Sequence, residues 1–273
     1  KEFEAMVARA REAVRAGEVF QVNLSHRLEA TTRLHPLALY ARLRDANPAP
    51  FGGYLASGPL PEGAEPFFVL SSSPERLFRL RGGTLEARPI AGTRPRGATP
   101  EEDARLVAEL RASGKETAEH VMLVDLARND LGRVARFGSV RVPRLLTVES
   151  YRTVHHLVSV VEADLDDGRD AVDALVALFP GGTITGAPKV RAMEVIEEVE
   201  PVRRGVYTGS LGWMSPDGDA DFNILIRTLF VRGGEVHLQV GAGIVEESEP
   251  AREHEETLAK AKGMLRALGV EGA

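Results

Sequence analysis

Residues 205–245 read GVYTGSLGWMSPDGDADFNILIRTLFVRGGEVHLQVGAGIV, and this stretch decides the fold. Asp217-Gly218 and Gly233-Gly234 stand between apolar runs rich in β-branched and aromatic residues, the signature of tight hairpin turns. Strands joined by two-residue turns run antiparallel, so the segment predicts antiparallel sheet. Beyond it, residues 251–268 read as a helix. Before it, PKVRAMEVIEEV (188–199) opens at Pro188 and stops short of Pro201, a helix punctuated at both ends. Further back, DAVDALVALF (170–179) is an amphipathic helix.

The N-terminal half mixes the same elements. Residues 2–16 carry apolar positions at helical spacing and end at Gly17. EVFQVNLSHRLE (18–29) alternates by two and predicts a strand. Residues 36–46 predict a helix, followed by a Pro/Gly-rich turn from Asn47 to Gly53. Residues 66–95 predict strands, with Gly82-Gly83 as a hairpin turn. Thr99-Pro100-Glu101-Glu102 opens a helix with Thr99 as its cap, and another helix covers 115–128. Helices and hairpins alternate without regular βαβ units. The expected class is therefore α+β, with antiparallel sheets packed as a sandwich and helices on the outside. The whole of 1–273 is expected to form one catalytic domain.

Composition narrows the function. Hydrophobic residues at 43% and charged residues at 27% suit a soluble globular chain with a sizeable core. No run approaches 18 apolar residues and no leader is visible, so no membrane role is expected. Cysteine is absent, which excludes disulfides and thiolate metal sites and fits a cytoplasmic location. A metal would need oxygen or imidazole ligands. The net charge of −6 argues against a nucleic-acid partner.

Two features carry chemistry. Glu116 and Glu119, and again Glu253 and Glu256, lie three apart on predicted helices, so each pair shares a helix face. Opposed, such faces would make an oxygen cage suited to Mg²⁺. Alone, such pairs are usually solvated surface. The second feature is GGTITGAPK (181–189), a glycine-rich loop leading into a helix start, which suits an anion. It is not a phosphate-binding P-loop, because Ala187 and Pro188 stand where Lys and Ser/Thr are required. A carboxylate is the expected guest.

RPIAGTRPRG (88–97), AEHVMLVDLARNDLGRV (118–134), VHHLVS (154–159), GTITGAPKVRAMEVIEEVEP (182–201), IRTL (226–229) and the GAGIV…EETL region (241–258) occur in this order. Together they resemble the chorismate-utilising enzymes along essentially the whole chain. That resemblance implies an Mg²⁺ cofactor bound directly by Glu119 and Glu256, with Glu116 and Glu253 assisting. It implies Glu75, in SSPERL, as the acid at the departing C4 hydroxyl, and His156 beside the ring. Tyr207, Arg227, Lys260 and the backbone near Gly243 match the holders of the substrate carboxylates. Thr185 and Gly186 lie on the glycine loop.

The same resemblance bears on the product. Gln21 stands where the isochorismate and salicylate synthases carry a water-activating lysine, which favours ammonia over water as nucleophile. Ala91 stands where many aminodeoxychorismate synthases carry a lysine that attacks C2, and there the chain looks like anthranilate synthase. QVNLS (21–25), NPAPF (47–51), VHHLVS, TITGAPK and GSLGW (209–213) are closer to the aminodeoxychorismate branch. The expectation is therefore amination of chorismate to 4-amino-4-deoxychorismate, with anthranilate synthase as the alternative. A glutamine amidotransferase subunit is the expected ammonia source, since no amidotransferase motif is visible. Family members usually carry an N-terminal segment beyond the region matched here. A non-catalytic chorismate-binding subunit is the reading from another class. The presence of Glu75, Glu119, His156, Arg227, Glu256 and Lys260 argues against it.

Overall fold

A computed structural model describes residues 1–58, 60–152 and 154–270. In chain order the first elements are α1 (Glu2–Arg15), β1 (Gln21–Thr31), α2 (Pro36–Ala46), β2 (Phe51–Ala56) and β3 (Phe67–Ser73). Next come β4 (Arg76–Arg81), β5 (Thr84–Ala87), β6 (Ile90–Pro95), α3 (Pro100–Ala112), α4 (Gly114–Gly132), β7 (Arg141–Ser150) and β8 (Val154–Asp164). Then follow α5 (Ala171–Leu178), β9 (Gly186–Ala187), α6 (Lys189–Val199), β10 (Gly212–Met214) and β11 (Ala220–Asn223). The last are β12 (Thr228–Arg232), β13 (Glu235–Ile244) and α7 (Pro250–Leu268). The class is α+β with antiparallel sheet, as the turn chemistry predicts. Among the described residues, no helix is long and apolar enough to cross a membrane.

The chain divides into two compact units. The first comprises Lys1–Glu75, Ile184–Gly212 and Asn223–Ala273. Its six-stranded sheet has the order β2-β3-β12-β13-β1-β9. Strand β1 runs antiparallel to β13, with Val22 opposite Ile244 and Leu24 opposite Ala242. Strand alternation then gives each face its own chemistry. Val22, Leu24, Ala242 and Ile244 pack against Phe3, Met6 and Val7 of α1 and against Val195 and Ile196 of α6. Further along the same face, Leu229, Val231, Leu238 and Val240 pack against Leu39 and Leu43 of α2 and Ala261 and Met264 of α7. The opposite face is polar and yet buried, carrying Asn23, Ser25, Ser71, Thr228 and Gln239. These groups satisfy one another: the Thr228 hydroxyl donates to Ser71 at 2.9 Å and the Gln239 amide to Ser25 at 3.2 Å. Gly233 and Gly234 take φ of 57° and 82°, the pair of positive angles that a two-residue hairpin between β12 and β13 requires.

The second unit comprises Arg76–Thr183 and Trp213–Phe222. Its seven-stranded sheet runs β10-β11-β4-β5-β8-β6, with β7 also paired to β8. The long strand β8 meets β5 at one end, β6 at the other, and β7 along its other edge. Arg76 links three strands by ion pairs to Asp221 at 2.9 Å and to Glu86 at 3.1 Å. Leu123, Val124 and Leu131 of α4 are buried against this unit.

Three departures from the sequence pattern matter. The Pro/Gly-rich turn at 47–53 already contains the start of β2. The hairpin β7–β8 forms where the sequence pattern marks no strand. Residues 205–211, read as part of the β region, form a turn at 205–208 and irregular chain at 209–211 instead, with Thr208 at φ 62°.

Candidate active site

The glycine loop is stitched to β1. Asn23 N–H donates to the Thr185 carbonyl at 2.8 Å, Phe20 N–H to Ala187 at 2.7 Å, and the Asn23 side chain to Ile184 at 3.2 Å. Gly186 and Ala187 form the short strand β9 opposite Val22 and Gln21. Gly186 has φ 141°, and a Cβ there would collide with the Gln21 carbonyl oxygen and lie 2.9 Å from Ala192 Cβ. Backbone and helix crowd it at once, so only glycine fits. Gly186→Ala is expected to lower folding stability by about 3 kcal/mol or more, because no soft side chain can yield. A denaturant melt checks this; an unchanged midpoint would show that the loop moves freely. Gln21 and Thr185 are both buried beside this junction.

Tyr207, Arg227, Lys260 and Glu256 gather over β13, in the same unit. Lys260 Nζ donates to the Gly241 carbonyl at 2.9 Å and pairs with Glu256 at 2.6 Å. Arg227 Nη1 donates to the Lys260 carbonyl at 2.5 Å. Arg227 holds φ 51°, a left-handed backbone that an arginine adopts at a cost. Burial pulls its pKa below the ordinary value, opposed by the neighbouring Tyr207 and Glu256. Burial also pushes the Tyr207 phenol up to about 12, against the pull of Arg204, so the hydroxyl remains a donor at ordinary pH. Gly241 makes room for it: a Cβ there would stand 2.8 Å from Tyr207 Oη and 2.6 Å from the Leu24 carbonyl oxygen. Gly243 lies two residues further along β13, opposite Asn23. The result is a cluster of a lysine, an arginine and a phenol around small residues, suited to carboxylate groups.

Glu75 follows β3 and is buried, 9% exposed. Its backbone is tied down on both sides: Ile224 N–H donates to the Glu75 carbonyl at 3.0 Å, and Glu75 N–H to Ser73 Oγ at 3.2 Å. Glu253 and Glu256 both lie near the start of α7 on one face, Glu253 half-buried and Glu256 exposed.

The second unit holds Glu116, Glu119, Ala91 and His156. Glu116 sits at the start of α4, its N–H capped by Ser113 Oγ at 3.3 Å. Its carboxylate is gripped by both terminal nitrogens of Arg94, at 2.7 and 3.1 Å. Ala91 is buried on β6, its carbonyl 3.4 Å from the His120 ring. Of the two adjacent histidines, His155 is buried and fixed by Asp103 at 2.9 Å and Ser150 at 2.8 Å. His156 is only half-buried, with Thr93 Oγ1 at 2.9 Å from Nδ1 and Tyr151 edge-on. Thr93 thus fixes the orientation of the ring through Nδ1.

The four glutamates thus divide two and two between the units. Within neither unit do three or more His, Asp or Glu side chains gather as a ready metal site, among the described residues. Each unit's pair offers carboxylate oxygen, the donor type that a hard divalent cation such as Mg²⁺ takes. Sequence reading alone misses Thr93, Arg94, Glu200 and Arg204. The first two stand inside the RPIAGTRPRG string and the last two close before Tyr207, but their roles depend on remote partners.

A family model described as chorismate binding enzyme matches residues 1–266, across both units. The chain is 52% identical over 266 residues to aminodeoxychorismate synthase component 1 of Bacillus subtilis (strain 168), covering 97% of this chain and 55% of that protein. It is 53% identical over 267 residues to anthranilate synthase component 1 of Streptomyces coelicolor, covering 98% and 51%. Among solved structures, anthranilate synthase component I from Streptococcus pneumoniae TIGR4 superposes with a TM-score of 0.85 at 41% identity, covering 96% of this chain and 57% of that one. The chain spans about half the length of the curated relatives it matches.

Proposed function

Because the chain belongs to the family of chorismate-binding enzymes, we propose that it is the chorismate-aminating region of an aminodeoxychorismate synthase. The observation that carries the substrate reading is the cluster of Tyr207, Arg227 and Lys260 around Gly241. Chorismate bears two carboxylates, and this cluster offers a guanidinium, an ammonium and a phenol that stays protonated. In the net reaction ammonia adds at C4 and water leaves. Glu75, buried and fixed in place, gives the proton to the departing hydroxyl. His156, oriented by Thr93, would stand beside the ring. Glu119 and Glu256 would hold Mg²⁺, with Glu116 and Glu253 assisting. When bound, Mg²⁺ supplies a Lewis acid that holds the ring carboxylate. Ammonia would come from a glutamine amidotransferase subunit, a reading supported by "component 1" in the names of both relatives.

The product is the finer question. Identities of 52% and 53% to the two kinds of synthase support them equally. The strings QVNLS, NPAPF and GSLGW favour 4-amino-4-deoxychorismate. Ala91 favours the alternative, in which ammonia adds at C2 as the C4 hydroxyl leaves as water, and pyruvate is then eliminated to give anthranilate. Incubation with chorismate, Mg²⁺ and ammonium salt at alkaline pH, followed by chromatography, separates them. We expect 4-aminobenzoate to appear only after aminodeoxychorismate lyase is added. Anthranilate without the lyase would assign the other reaction. No Mg²⁺-dependent binding of chorismate and no turnover would point to a non-catalytic subunit.

A further inference from the structure

Glu200 and Arg204, one turn apart after α6, form a buried ion pair, with side chains 3% and 13% exposed. Arg204 uses every side of its guanidinium. Nε and Nη2 meet Glu200 at 3.0 and 2.7 Å, Nη1 donates to the Ile184 carbonyl at 2.6 Å, and Nη2 also reaches the Asn23 carbonyl at 2.5 Å. Its flat face stands over the Tyr207 ring, 5.6 Å from the centroid. Glu200 Oε1 in turn accepts from Ser25 N–H at 2.7 Å and Ser25 Oγ at 2.9 Å. A pocket of about 160 Å³ opens beside these groups, bordered by Arg204, Tyr207, Thr228 and Gln239. One planar cation therefore joins the glycine loop, the polar face of β1 and the phenol that borders the pocket. A buried pair contributes little net stability compared with apolar packing, and the use that explains it best is fixing geometry.

We infer that Arg204, held by Glu200, is a positioning residue that sets Tyr207 and the 184–186 backbone for capture of a substrate carboxylate. This rests on the chorismate reading above. Lysine at 204 would keep the charge but has no planar fork, so it could not hold two carbonyls, a carboxylate and a ring at once. The effect should fall on substrate capture and leave the chemical step and ammonia untouched.

The test uses the full chain with chorismate, Mg²⁺ and ammonium salt. For Arg204→Lys we expect a chorismate KM raised about tenfold, kcat within about threefold, and an unchanged KM for ammonia. Combined with Tyr207→Phe, the two KM effects should be less than additive, because one acts through the other. Should Arg204→Lys fail to fold, Ser25→Ala is read in the same way. It loosens Glu200 while leaving both charges paired, and a rise of about threefold in chorismate KM is expected. Parent turnover with an unchanged chorismate KM in the folded variant, or a loss confined to kcat, would overturn this inference alone. A parent chain that neither binds nor turns over chorismate would overturn the functional reading and this inference with it.

Discussion

Glu119→Gln and Glu256→Gln are each expected to lower turnover about a thousandfold or more, because each would remove a charge proposed to hold a divalent cation. Glutamine keeps the shape and loses one negative charge, so packing is a poor explanation for any loss. Glu256 is exposed and already paired to Lys260 at 2.6 Å, so its substitution should cost little stability. The Glu256 carboxylate also balances charge. Without it, Lys260 loses its anionic neighbour and the Tyr207–Arg227–Lys260 cluster becomes more positive. Chorismate could then still bind, weakly and without metal. Calorimetric titration of Mg²⁺ into each variant in the presence of chorismate gives a readout independent of turnover. Near-normal activity with unchanged Mg²⁺ dependence in either variant would remove that residue from the metal site.

Arg227→Gly is expected to raise the chorismate KM about a hundredfold while folding stability stays within about 1 kcal/mol of the parent, or rises. Ordinarily the loss of a half-buried, hydrogen-bonded arginine destabilises a fold. Here opposing effects offset one another. Glycine relieves the left-handed backbone at φ 51°, worth about 1–2 kcal/mol. It also removes a half-buried cation whose pKa is depressed by partial desolvation. Against these stand one lost hydrogen bond to the Lys260 carbonyl, about 1 kcal/mol, the lost attraction of Glu256, and the added freedom of glycine in the unfolded chain. A thermal melt beside steady-state kinetics checks both halves. A fall in Tm of more than about 6 °C would mean that Arg227 serves the fold and is not strained for a ligand.

Local structure is legible wherever a cap or a turn residue announces an element. Thr99 accepts the Glu102 N–H at 3.2 Å, as its position before Pro100 predicts, and α2 covers the span read from its periodicity. β7 is illegible because its sequence, RVPRLLTVES, contains a proline, and most of its residues are exposed or half-buried without clean alternation. β8 is illegible for the opposite reason: buried on both faces through its middle, 157–161, it shows no alternation there. The expected carboxylate holders come from resemblance, and the first unit brings Tyr207, Arg227 and Lys260 together around Gly241. Arg94 and Arg204 escape a reading of the sequence because a guanidinium shows its role only through its partners. Those partners lie 22 residues away for Arg94–Glu116 and 181 for Arg204–Asn23.

Strand β1 gives its even positions, Val22 and Leu24, to the oily core and its odd ones, Asn23 and Ser25, to the polar network. A slip of one residue against β13 would exchange the two sets. It would drive an amide and a hydroxyl into hydrocarbon and at the same stroke detach the glycine loop and Glu200. Misfolding and inactivity are therefore the same error in this strand. A chain that has paired it wrongly cannot persist as a stable, idle decoy that soaks up substrate, because the mistake that disarms the site also unmakes the core.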